Sequence, residues 1–178
     1  YGVLYEGGSD QMSKIDENII QNWIVDEGIF KQKMPDQDAQ FHYVIEYPQG
    51  NIMDIIQPKG KDDFVLFVCG TQVSPEHVNL MKDASMKDRE KFLFELRFEL
   101  NRLEPDFQLD VNNELMLSQF VLQDALYEDG LTKNELMKTI KRIFKSKLAC
   151  TMVIEKIFGS PDLSGGLNTG SDDNVMFM

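Results

Sequence analysis

Apolar and polar positions change period several times along the chain, and each change marks an element. Ile15, Ile19, Ile20, Trp23 and Ile24 recur at helical spacing. They predict a first helix starting near Ser9 to Ser13, with Ser13 and Asp16 as a capping box and Gly28 as its stop. Trp23 at that spacing belongs to the core. The period then drops towards two. Ile29–Met34, Phe41–Tyr47, Ile52–Ile56 and Phe64–Cys69 predict four strands. The turns between them, around Pro35, Pro48-Gln49-Gly50-Asn51 and Pro58-Lys59-Gly60, are short, which favours an antiparallel meander. Phe64-Val65-Leu66-Phe67-Val68-Cys69 is an uninterrupted apolar run of strong β-formers. It predicts the central strand, covered on both faces.

Helical spacing returns at Ser74. Ser74 caps, Pro75 takes the first helical position and Glu76 faces the positive end of the helix dipole. A break at Ala84 to Met86 separates this piece from a second helix, capped by Ser85 and Asp88 and stopped by Pro105. Its apolar positions Phe92, Leu96, Leu100 and Leu103 are widened by Leu93, Phe94 and Phe98. A helix lying on one sheet needs a stripe of roughly 100° or somewhat more. Phe94 and Phe98 fall outside such a stripe, so a second surface must cover them: another helix of this chain or a partner. Phe107–Val111 and Leu115–Leu126 predict a hairpin turning at Asn112-Asn113. Thr132 and Glu135 form a capping box for a long last helix, whose apolar face runs from Leu136 through Ile140, Ile143 and Ile154 to Phe158. The expected fold is α+β: an antiparallel meander plus hairpin, with N-terminal, middle and long C-terminal helices packed on it.

Composition adds the boundaries. Residues 1–159 carry the patterned sequence and are expected to form a single domain. Residues 160–178 have linker composition and are expected to be a flexible tail. That tail ends on the apolar Val175-Met176-Phe177-Met178, for which a frayed end and a docking peptide are the two readings. The chain begins at Tyr1 rather than Met, which leaves open what precedes it. A formal net charge of −12 argues against nucleic acid and against anionic membrane as partners. The apolar runs fall short of the ~20 residues of a membrane span, and no secretory leader is visible, so a cytoplasmic location is expected. Cys69 and Cys150 lie in apolar patterns, as reduced core thiols do.

Candidate chemistry is sparse. Cys69, Thr71 and His77 follow the central run, where a small enzyme could place a nucleophile and base, but no acid is fixed to orient the histidine. The two histidines, His42 and His77, show no metal-ligand spacing. The acidic pairs Asp36/Asp38, Asp62/Asp63 and Asp172/Asp173 lack the spacing of a calcium loop. Gly165-Gly166 and Gly170 lack the lysine of a phosphate loop. Lys138, Lys141, Arg142, Lys145 and Lys147 make the last helix locally basic, as a solvated face paired with acidic neighbours. No catalytic residue, metal site or cofactor is expected.

The element order from Asp10 to Phe158 resembles the type III secretion chaperone-like fold, shared with the YbjN-like proteins, and an uncharacterised archaeal family of that fold. The residues that carry the resemblance are Asn22-Trp23, the meander ending in Phe64-Val65-Leu66-Phe67-Val68, the helix from Phe92 to Leu103 and the hairpin before Thr132. The chain departs from the secretion chaperones in having four strands before the middle helix and a break in that helix. The resemblance implies a small acidic cytoplasmic dimer that binds segments of other proteins. The expected function is therefore a non-enzymatic protein-binding or chaperone-like module. A small enzyme at Cys69 to His77 and a structural subunit of a larger complex are the alternatives. Phe94 and Phe98 are the expected partner-binding residues, the partner being another protein or a second copy.

Overall fold

In a computed structural model, residues 14–160 are described. The predicted N-terminal arm, the helix start at Ser9 to Ser13 and the tail beyond Ser160 lie outside the described residues. The element order is α1 (Glu17–Asp26), β1 (Phe30–Lys33), β2 (Ala39–Glu46), β3 (Ile52–Pro58), β4 (Phe64–Gln72), α2 (Pro75–Asp83), α3 (Met86–Leu103), β5 (Asp106–Val111), β6 (Leu117–Tyr127) and α4 (Lys133–Phe158). The α+β expectation holds, with the strands in one antiparallel sheet of order β1-β2-β3-β4-β6-β5. β1 to β4 form the meander, and the β5–β6 hairpin joins it by pairing β6 with β4.

The capping residues act largely as their positions dictate. Ser74, Ser85 and Thr132 each accept a hydrogen bond from the backbone N–H three residues on. Glu135 turns to Lys138 rather than back to its cap, so only one side of that capping box forms. α1 opens at Glu17 with Asp16 as its cap, Asp16 Oδ1 accepting from the Asn18 N–H at 2.9 Å. A carboxylate there meets orphan N–H donors and the positive end of the helix dipole, which a Ser13 start would leave unused. β6 begins two residues later than expected. Asn112 Oδ1 accepts from the N–H groups of Glu114 and Met116, and Leu115 is held at φ 59°, so 112–116 is a loop rather than strand.

All four helices lie on one face of the sheet. There Phe41, Tyr43 and Ile45 of β2, Met53 and Ile55 of β3, and Val65, Phe67 and Cys69 of β4 are buried. They meet Ile20 and Ile24 of α1, Met81 of α2, Leu96 and Leu100 of α3, and Ile140 and Ile143 of α4. β4 is interior to the sheet, but it is not covered on both faces as its apolar run predicts. Phe64, Leu66 and Val68 point to the other face, where none of the described helices packs, and they are half-buried. Ile56 and Ala125, opposite Leu66 on the neighbouring strands, are half-buried too, so flanking side chains give Leu66 its partial cover. A run of apolar residues reports strand character here, not two-sided burial.

Candidate functional site

The helix layer presents the most apolar exposed surface among the described residues. On α3, Phe92, Leu93, Leu96 and Leu100 are buried against the sheet and α4. Phe94 and Phe98, one turn apart on the other side, are 69% and 61% exposed. α4 repeats the arrangement. Ile140, Ile143, Cys150 and Ile154 face the core, while Leu148 and Met152 are exposed on the outside. The two helices are held together by Phe92 against Phe158, edge to face with ring centroids 5.0 Å apart, and by Lys156 Nζ donating to Glu95 Oε2 at 2.8 Å.

Between these outer faces runs an open groove of about 690 Å³. Phe94, Phe98, Ala149, Met152 and Val153 supply its apolar lining. The Glu95–Lys156 pair and the Glu99–Arg102 pair, at 2.8 Å and 2.7 Å, edge it with charge. The hydrogen bond from Lys156 holds the Glu95 carboxyl below its usual range, and the same bond raises the Lys156 ammonium, so the pair stays ionised across the neutral range. Ligand sites are of this size, about 300–1,000 Å³, with mainly apolar walls and a few fixed polar groups. The groove can accept an apolar segment and orient charges at its ends.

Phe94 and Phe98 were legible in the sequence as residues beyond the sheet-facing stripe; the structure places them together on the groove. Leu148 and Met152 were not singled out. Their signal is the same one: an apolar pair at i,i+4 spacing displaced from the buried stripe of α4.

The residues of the alternative site at Cys69 to His77 have other partners. The Cys69 thiol donates to the Ile52 carbonyl at 3.6 Å and lies 3.9 Å from Thr71 Oγ1. Burial raises its pKa, the reverse of what a nucleophilic thiol needs. His77 Nδ1 is engaged with Ser74 Oγ at 3.0 Å, at its own helix start. Among the described residues no hydrogen bond or ion pair joins Cys69 to His77. Cys69 and Cys150 are both buried free thiols.

His42 lies on the uncovered sheet face between two carboxylates, with Nδ1 2.9 Å from Asp36 Oδ2 and Nε2 2.9 Å from Asp54 Oδ1. Burial alone would lower its pKa, but the hydrogen bonds to Asp54 and Asp36 outweigh burial and raise it. Among the described residues no His, Cys, Asp or Glu cluster is arranged to hold a metal ion, and no helix is long and apolar enough to cross a membrane. On the basic helix, Lys138 pairs with Glu135 at 2.7 Å and Arg142 with Asp124 at 2.6 Å. Lys141 and Lys145 make no ion pair among the described residues.

An uncharacterized protein from Methanothermobacter thermautotrophicus is similar to this chain, with 42% identity and a TM-score of 0.77 over 80% of this chain and 99% of that one. YbjN from E. coli superimposes at a TM-score of 0.42 with 17% identity, over 80% of this chain and 91% of its own. A chain of the HopA1–SchA chaperone–effector complex does so at 0.46 with 9% identity, over 76% and 92%. No curated protein matches the chain in sequence. The model of the family described as uncharacterized conserved protein (DUF2299) matches residues 16–154, and the chain belongs to that family.

Proposed function

We propose that this protein is a non-enzymatic binding module of chaperone-like kind, which takes an apolar segment of another protein chain into the groove between α3 and α4. One observation carries this reading. Phe94 and Phe98 are the two most exposed large apolar side chains among the described residues, and they share one groove with Met152. Contiguous exposed apolar surface rimmed by charge marks an interaction site. The charged groups at the groove pair off, but the two helices that form it argue for a partner of particular chemistry. Of the chain's 18 basic residues, twelve lie on α3 and α4, against six acidic ones. An apolar segment flanked by Asp or Glu fits such a surface. The acidic balance of the rest of the chain works against nucleic acid and anionic lipid.

Selection from a displayed library of random peptides, each about a dozen residues long, tests this. The expected winners carry two or more large apolar residues beside acidic ones. Their affinity should fall at least about tenfold on changing Phe94 and Phe98 together to Asp, as loss of two central apolar anchors does. Far-UV circular dichroism should show that variant folded. Winners that bind wild type and variant alike, or no winners at all, would overturn the reading.

Self-pairing of the same face in a two-fold dimer is the second reading, favoured by the placement of Phe94 and Phe98 one turn apart on an uncovered helix. Light scattering separates them. A mass near 20.5 kDa sinks the dimer, and twice that mass, lost in the Phe94/Phe98 variant, supports it.

A further inference from the structure

We infer that the groove has an occupant within the same chain: the apolar segment Val175-Met176-Phe177-Met178, held there by its acidic neighbours Asp172 and Asp173 and displaced when a partner segment binds. The inference rests on the groove being a binding site for apolar segments, and it names what regulates that site.

Three observations carry it. The first is reach. Groove residues Ala149, Met152 and Lys156 lie within the last three turns of α4, so the farthest is about 15 Å along the helix from Gly159. Residues 161 to 174, rich in Gly and Ser, separate Ser160 from Val175. A Gly/Ser-rich coil of that length has a root-mean-square span of about 20 Å, which matches the distance without stretching.

The second is chemistry. The segment Asp172-Asp173-Asn174-Val175-Met176-Phe177-Met178 is an apolar block preceded by two carboxylates. That is the composition the groove selects: an apolar lining including Phe94, Phe98 and Met152, on helices carrying twice as many basic as acidic residues. Lys141 and Lys145, without ion-pair partners among the described residues, are cations such carboxylates can meet. Methionine suits an open apolar groove because its unbranched side chain adapts to irregular surface.

The third is charge balance against the competing occupant. A second copy seated face to face would bring together two α3–α4 pairs that each carry twelve basic residues against six acidic ones, and like-charge juxtaposition disfavours that pairing. The acidic segment instead brings carboxylates to these basic helices.

Tethering sets the size of the effect. A short flexible tether gives an effective concentration on the order of 1 mM, so a segment with an intrinsic Kd of about 100 µM blocks the groove about tenfold against an external competitor. The probe is a fluorescein-labelled synthetic peptide, Thr169 to Met178, titrated by anisotropy into the full chain and into full-chain variants. The peptide should bind a Met176→Asp/Phe177→Asp variant about tenfold more tightly than wild type. It should fail to bind when Phe94 and Phe98 are also changed to Asp.

Equal affinity for wild type and the Met176/Phe177 variant would overturn the inference, as would binding that survives the loss of Phe94 and Phe98. A doubled mass in light scattering that returns to one chain in the Met176/Phe177 variant would place the segment on a second copy and overturn the same-chain form. No binding to any variant would overturn it too. In each case, peptides from the displayed library report separately on the groove: if they bind through Phe94 and Phe98, the groove reading stands while the inference falls.

Discussion

Phe67 and Leu66 are neighbours on β4 that face opposite sides of the sheet, and truncating each to alanine weighs one side against the other. Phe67 is fully buried beneath the helix layer, in the cluster that includes Ile55, Leu122 and Ile140. Phe67→Ala removes a whole ring from a closed site, so both the transfer and the cavity contribution apply, and the expected loss is about 3–5 kcal/mol. Leu66 is half-buried on the uncovered face. Water fills the space that Leu66→Ala leaves, so no closed cavity remains. Only part of the roughly 1.5–3 kcal/mol for burying a leucine side chain is at stake, about 1 kcal/mol. In a domain of this size each kcal/mol moves Tm by about 2–4 °C, so Phe67→Ala should lower it by roughly 8–15 °C and Leu66→Ala by about 3 °C. Urea denaturation followed by circular dichroism at 222 nm gives both free energies. Comparable losses at the two positions would refute the one-sided sheet, because they would require a closed environment around Leu66 as well.

Arg89 donates to the carbonyls of Met81, Lys82, Ala84 and Glu114 at 2.8 to 3.1 Å, tying the α2–α3 break to the β5–β6 loop. Arg89→Met should cost about 1–3 kcal/mol in urea denaturation, because carbonyls left without a charged donor must be resolvated. His42 has its pKa raised in the folded chain, so its pairing with Asp36 and Asp54 adds stability that is fully present below the unfolded value of about 6.5. That contribution fades as pH rises through the higher folded value. The stability difference between wild type and His42→Gln, measured at pH 5.5 and pH 9, should therefore shrink at the higher pH; a gap that widens would reverse the assignment. Burial pushes the Cys150 thiol up to about 12 and raises that of Cys69. Both should resist a disulfide reagent at pH 8 until urea unfolds the chain, and rapid labelling of native protein would contradict their burial.

Element order and strand pairing were legible because they follow from local rules: helical and alternating spacing, short turns and side-chain caps. The limits were equally physical. Phe64 to Cys69 reads the same whether one or both faces are covered, since covering depends on where α1 to α4 pack, which is tertiary information. The loop at 112–116 was missed because its shape comes from the Asn112 carboxamide oxygen capturing two N–H groups, and hydrophobic pattern carries no trace of that. At the groove, Phe94 and Phe98 could be identified as surplus to the sheet contact. That α4 would leave them bare, and set Met152 beside them, could be seen only once the two helices were packed.

The order of the sheet leaves two strand edges open. Among the described residues β1 and β5 are its outermost strands, and each has a row of backbone donors and acceptors facing outward with no neighbouring strand. Such rims invite strand-by-strand addition of other chains, the route by which sheet proteins aggregate. Both are blunted. β1 is only four residues long, carries Lys31 and Lys33, and is interrupted by a bulge between Phe30 and Gln32. β5 alternates exposed Asp106, Gln108 and Asp110 and breaks register before Val111. Lysines at one rim and aspartates at the other, each beside a register break, discourage ribbon growth in either direction, so the exposed apolar residues of α3 and α4 are carried on a body that resists polymerising through its sheet.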